Sequence, residues 1–132
     1  MNKVVARFQD GRTMKGRTND FIATKDRFFL VLEDGKPGAK PVEVRVEELK
    51  ALFFVKELAG NPDHKKTNHF DPSKPVPGRK VRVVFKDGET LEGVTQGYQP
   101  NRPGFFLVPA DRHSNNERCF VITASTKEVA LI

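Results

Sequence analysis

The chain has no tryptophan, one tyrosine and a single cysteine, Cys119. One cysteine excludes an intrachain disulfide framework and fits a reducing compartment. No apolar run approaches the roughly 18 residues of a membrane-spanning helix. The start, Met1-Asn2-Lys3-Val4-Val5-Ala6-Arg7, is interrupted by Arg7 and Asp10 and lacks a signal-peptide core. A cytoplasmic protein without membrane association is therefore expected. Glycine-rich phosphate loops of the GxxxxGK[ST] or GxGxxG type are missing too. Nucleophilic catalysis needs a nucleophile, a base and an orienting group. Cys119 lies on an expected strand with apolar neighbours Phe120 and Val121, which points to an inert thiol. His113 lies in a loop with no evident partner, and Glu47 and Glu48 are adjacent, so on a turn they diverge. Neither an enzyme nor a cofactor is expected.

What is present is charge, thinly spread. The net charge is +6. Residues 1–55 hold 11 Lys and Arg against 8 Asp and Glu, residues 56–79 hold 5 against 3, and residues 80–132 hold 7 against 6. No segment is a basic tail, so an anionic partner is permitted and not required.

The strongest signal is self-similarity at an offset of 77 residues. Lys3-Val4-Val5-Ala6-Arg7-Phe8-Gln9-Asp10-Gly11 aligns with Lys80-Val81-Arg82-Val83-Val84-Phe85-Lys86-Asp87-Gly88. The same offset pairs Gly16 with Gly93, Phe21 with Tyr98, and Phe28-Phe29-Leu30-Val31 with Phe105-Phe106-Leu107-Val108. No gap is needed between residues 3–55 and 80–132.

Each copy has the two-residue period of strands: Val4, Ala6 and Phe8 alternate, as do Val81, Val83 and Phe85. Asp10-Gly11 and Asp87-Gly88 are hairpin turns. Second strands follow near residues 12–18 and 89–95, and the glycines inside them mark a bend or a close backbone approach. Third strands fall at Phe28–Leu32 and Phe105–Val108, fourth strands at Val42-Val44-Val46 and Cys119-Val121-Thr123. A tight turn then leads into last strands at Ala51–Val55 and Glu128–Ile132. A single helix over Val46–Leu58 is the alternative for the first copy. The expected fold is all-β: two tandem five-stranded SH3-like or Sm-like small barrels, residues 1–55 and 80–132, packed together. Residues 56–79, with four of the nine prolines and two of the three histidines, read as a polar linker. Asp63, His64, His69 and Asp71 are metal-ligating types, but their spacing is that of no known site and no metal is expected.

The copies differ on their surfaces. Arg12, Lys15 and Arg17 of the first correspond to Glu89, Glu92 and Val94 of the second. With Lys25 and Arg27 they form either a face for an anionic ligand or nucleic acid, a solvated surface, or half of a complementary contact between the copies. Val84, Phe120 and Ile122 stand at outward-pointing positions, where the first copy has Arg7, Glu43 and Arg45. Either they form a partner interface or the inside–outside assignment of that strand is off by one. Phe21 and Tyr98, each near basic residues, stack a ligand or plug the end of a barrel.

Phe8-Gln9-Asp10-Gly11 through Gly16, then Asp20-Phe21, resembles the first motif of Sm-like proteins. In that family, RNA binding uses an asparagine after the loop aspartate and an Arg-Gly pair. The matching stretches here are Lys25-Asp26-Arg27 and Glu47-Glu48-Leu49, so the RNA site does not transfer. Gly93–Tyr98 with Arg102–Asp111 also resembles an uncharacterised bacterial family whose units occur alone or attached to signalling domains. PilZ-type barrels require an RxxxR segment and DxSxxG; Arg79-Lys80-Val81-Arg82 has the wrong spacing. The resulting expectation is a non-enzymatic bacterial interaction or adaptor module. It binds a protein partner or itself through the second barrel or the groove between barrels. The alternatives are nucleic-acid (RNA) binding by the basic face and a PilZ-like cyclic-dinucleotide sensor.

Overall fold

The structure, a computed structural model, describes residues 1–65 and 67–132; residue 66 of the expected linker lies outside the described residues. Ten strands run β1 (Asn2–Phe8), β2 (Thr13–Thr18), β3 (Arg27–Leu32), β4 (Val42–Arg45), β5 (Leu49–Val55), β6 (Arg79–Phe85), β7 (Thr90–Thr95), β8 (Gly104–Pro109), β9 (Asn116–Ile122) and β10 (Thr126–Leu131). Short 3-10 turns at Val46–Glu48 and Thr123–Ser125 precede β5 and β10. The helical alternative over Val46–Leu58 is not what forms. The bounds of β1, β2, β3 and the first 3-10 turn return 77 residues later in β6, β7, β8 and the second turn.

The hairpin turns follow from their residues. Gly11 and Gly88 have φ of 94° and 92°, a region open to glycine, and the Phe8 and Phe85 carbonyls accept their N–H groups at 3.1 and 2.9 Å. Inside the second strands, Gly16 and Gly93 lie where backbone crowds in: a Cβ on Gly93 would stand 2.6 Å from the Val108 carbonyl oxygen. The close approach read from these glycines is real, and it lets β2 and β7 bend over their cores.

All strand pairs are antiparallel, in the order β10-β6-β7-β8-β9-β5-β1-β2-β3-β4. The all-β expectation therefore holds. The sheet, however, is open and continuous through both halves, and neither half closes into a barrel by strand pairing. β5 pairs with β1 of its own half and with β9 of the other, while β4 and β10 are left as the two edges.

Two apolar cores lie along this sheet, and β5 and β9 serve both. Leu52 and Phe54 of β5 and Phe120 and Ile122 of β9 enter the core of the first half, with Val4, Phe8, Phe28 and Leu30. Phe53 and Val55 of β5 and Cys119 and Val121 of β9 enter the core of the second, with Val81, Val83, Phe85 and Leu107. Successive side chains on a strand point to opposite faces, so a strand between two cores has buried side chains on both faces. Each residue of β5 is buried, including Lys50.

This arrangement corrects the reading of the outward apolar set. Phe120 and Ile122 are 1% and 2% exposed. They do face away from their own core, so the strand assignment is not off by one. The surface they meet is the first half of the same chain. Val84 is half-buried on β6, between Thr90 and Glu128 of the neighbouring strands.

Candidate functional site

The basic residues of the first half do not converge. Arg12 is tied to Asp10 at 2.7 Å and lies over the Phe8 ring. Arg27 lies 3.6 Å from Glu43, and Lys25 is an exposed loop residue. Arg17 is exposed on β2 opposite Lys3, and beside Val31 of β3. Lys15 bends toward the linker, where its Nζ donates to the Leu58 carbonyl at 3.1 Å.

Nor do these cations meet the acids found at matching positions of the second half. Glu89 and Asp87 both accept from Lys50 Nζ, at 2.6 and 2.7 Å, and Glu92 accepts from Arg82 at 2.9 Å. Charge complementarity between the halves exists, but the cation is the largely buried Lys50 of β5. The Lys50 hydrogen bond and the Glu89 N–H hold the Asp87 carboxyl below its ordinary value.

The aromatic residues of the β2–β3 and β7–β8 loops act as plugs. Phe21 sits 5.3, 5.9, 6.3 and 5.1 Å from the rings of Phe28, Phe54, Phe106 and Phe120. Tyr98 stacks edge-on against Phe105 at 4.8 Å. Both pack against the cores while staying partly exposed.

The linker is fastened to the second half. Leu58 is buried in the second core. Asp111 accepts from the Thr67 and His113 N–H groups and lies 2.7 Å from His64 Nε2. Glu92 accepts the Phe70 N–H at 2.9 Å, and the Asn68 carbonyl accepts the Glu92 N–H at 2.8 Å. Burial pushes both carboxyls up, but these hydrogen bonds, with the Arg82 guanidinium beside Glu92, outweigh it and leave each below its ordinary value. Because His64 and His69 turn to different carboxylates, Asp63, His64, His69 and Asp71 do not assemble. Among the described residues no group of three or more His, Cys, Asp or Glu is placed to hold a metal ion.

Fastening the linker there encloses a groove of about 240 Å³ between the halves. Its floor is apolar: Val5, Phe53 and Val55 of the first half, Leu58 of the linker and Leu91 of β7. Its sides carry Arg7, Thr13 and Lys15 from the first hairpin, Asn61, His64 and Asn68 from the linker, Glu89 near β7, and Asn115 and Asn116 at the start of β9. Arg7 rests over the Phe53 ring, 5.8 Å from its centroid. Asn115 clamps Glu57, receiving its N–H at 2.9 Å and donating to its carbonyl at 2.8 Å. Asn68 Oδ1 is buried with no hydrogen-bond partner. An apolar floor with a few convergent polar groups is what ligand sites have in common.

Sequence reasoning named Lys15 among these groove residues as a binding residue and missed Arg7, Asn68 and Asn115. They are far apart in the chain and share no motif. The strand alternation of Val5, Arg7, Thr13 and Lys15 does place them on one face, which is the signal that was available.

Among the described residues no helix is long and apolar enough to cross a membrane. No match was found among curated proteins or among solved structures. The model of a Family of unknown function (DUF6982) matches residues 1–132, and the chain belongs to that family.

Proposed function

We propose that the protein is a non-enzymatic interaction module that seats a segment of a protein partner in the groove between its halves. The observation that carries this reading is the groove itself, where the edges of largely buried apolar side chains from both halves and the linker line a floor beside a ring of polar groups. A peptide with one apolar anchor fits such a site, because burial of a single large side chain contributes about 1.5–3 kcal/mol. The chemistry of the lining also favours binding over turnover. Its one hydroxyl belongs to Thr13 at an exposed strand position, and the His64 imidazole is turned toward Asp111. The tandem SH3-like or Sm-like character of the two halves belongs to this proposal as well. The support for it is the repeated strand order and the 77-residue offset of the strand bounds.

The test is a selection of random peptides on the full chain, followed by affinity measurements on Thr13→Trp. The substituted indole projects into the groove from an exposed position, so the fold is retained. Selected peptides are expected to bind this variant at least about tenfold more weakly. Peptides with unchanged affinity for Thr13→Trp would remove the groove from consideration.

A second reading has its own observation. Phe29 and Val31 of β3 are 46% and 38% exposed on one face, beside Arg17, with Arg27 and Arg45 nearby, both paired with the Glu43 that stands opposite Phe29. An exposed aromatic among arginines is a platform on which single-stranded nucleic acid stacks. That reading requires labelled oligouridine to bind with an affinity that falls steeply with salt, and to lose it in Phe29→Ala. Absence of binding at low salt disposes of it.

A further inference from the structure

The charges around the groove point to the chemistry of its occupant. We infer that the groove takes a carboxylate next to an apolar group, the carboxylate held by Arg7 and Lys15 and the apolar group by the floor of Phe53, Val55 and Leu91. This rests on the reading of the groove as the binding site.

Most ionic groups in or near the groove already have partners. Glu89 is bound to Lys50 at 2.6 Å, His64 to Asp111 at 2.7 Å, and Arg82 of β6 to Glu92 at 2.9 Å. Arg7 and Lys15 differ. Among the described residues neither has a carboxylate within 4.0 Å, and Arg7 acts on the Asp87 carboxylate only through the weaker, longer-range field that comes after the Lys50 bond. They stand on the same face of adjacent strands: Val5 is opposite Lys15, and Arg7 is two residues on, opposite Thr13. Residues so placed on neighbouring strands lie within one ligand's reach of each other.

Each cation is also held in position. Arg7 is laid on the Phe53 ring, and Lys15 is anchored by the Leu58 carbonyl. A lysine whose Nζ donates to one carbonyl has two further donors, and a guanidinium over a ring presents its edge. Both therefore remain able to bind an anion. Asn68, on the linker side, supplies the third element. Asn68 lines the groove and its Oδ1 is buried without a hydrogen bond, so a donor that reaches it would satisfy it. A peptide N–H next to a carboxylate, as at the end of a chain or in an acidic residue, is a donor of that kind. Cationic, acceptor and apolar groups thus surround one small volume, and an acylated amino acid with an apolar side chain carries their complements.

The carboxylate can come from a chain terminus or from an acidic side chain, and three probes separate these sources. N-acetyl-leucine carries a terminal carboxylate, N-acetyl-aspartyl-leucinamide a side-chain carboxylate, and N-acetyl-leucinamide none. Each is titrated into the isotope-labelled full chain and followed by NMR. The expected result is saturable shifts at Val5, Arg7, Lys15 and Asn68, with at least one acid binding about tenfold more tightly than the amide. The tighter of the two acids names the source. In Arg7→Gln/Lys15→Gln, both at exposed positions, the acid's advantage should vanish while the amide's affinity stays unchanged. If the amide binds as tightly as both acids, the inference falls and the groove survives as a neutral site. If no probe shifts the groove residues, the inference and the groove reading fall together.

Discussion

Leu52 of β5 stands directly opposite Phe120 of β9, and both side chains enter the core of the first half although Phe120 belongs to the second. The two halves therefore share their hydrophobic interior through a pair of strands, and neither core is complete without residues from the other half. Phe120→Ala is expected to destabilise the whole chain by about 3–5 kcal/mol, as large-to-small changes at buried aromatics do. Phe29→Ala, at an exposed strand position, is expected to cost less than about 1 kcal/mol. Chemical denaturation of both variants checks this. A small cost for Phe120→Ala with loss of binding to another protein would mean that the residue faces an external partner after all.

The glycines inside β2 and β7 make a second prediction. A Cβ at Gly16 would meet the Val31 carbonyl, and one at Gly93 would lie 2.6 Å from the Val108 oxygen and 2.7 Å from Leu107 Cδ1. Backbone cannot give way as a flexible side-chain tip can, so either strand must shift against its neighbour. Gly16→Ala and Gly93→Ala should each lower stability by about 2–4 kcal/mol, well beyond the small backbone-entropy benefit of removing a glycine. Thermal unfolding of the two variants measures it.

Much of this fold is legible in the sequence, for a physical reason. Strand bounds, Asp-Gly turns and close-approach glycines are local properties, set by alternation and by allowed backbone angles. The run Ala51-Leu52-Phe53-Phe54-Val55 and the run Cys119-Phe120-Val121-Ile122 also show, by losing alternation, that both faces of β5 and β9 are buried. What covers the second face is not local. Pairing of β5 with β9 depends on chain geometry over more than 60 residues, and the apolar face of Phe120 and Ile122 looks the same whether its cover is another protein or the other half. The groove is hidden for the same reason. Arg7, Asn68 and Asn115 come together only because the linker docks on Asp111 and Glu92, and no spacing of residues announces that contact.

Linker docking should depend on pH. Asp111 and Glu92 sit below their ordinary carboxyl values in the folded chain, because the hydrogen bonds they gain outweigh burial. A group depressed on folding stabilises the folded state above its unfolded value and loses that contribution as pH falls through the folded one. Stability should therefore drop on acidification below the ordinary aspartate value of 3.8. Asp111→Asn is expected to cost about 1–3 kcal/mol near neutrality and to flatten the acid limb. Urea midpoints across pH for the two proteins check this; parallel curves would show that Asp111 contributes nothing to the acid response.

The two free edges differ from the junction they otherwise match. At the 77-residue offset, Glu43 and Arg45 of β4 take the places of Phe120 and Ile122, and Glu128 of β10 takes the place of Ala51. A strand edge exposes unpaired N–H and C=O groups and invites another strand, and charges placed along it oppose that pairing. The apolar junction joins two strands inside the chain, whereas the charged edges keep the same geometry from repeating between chains. A contact of this kind is head-to-tail and does not close on itself after one step, so it would extend into larger species. Glu43→Phe/Arg45→Ile gives β4 the side chains of β9. It is expected to raise self-association by an order of magnitude or more at equal protein concentration, measured by sedimentation velocity. If the double variant sediments like the wild type, these charges are not what holds the edge free, and the short length of β4 is left as the reason.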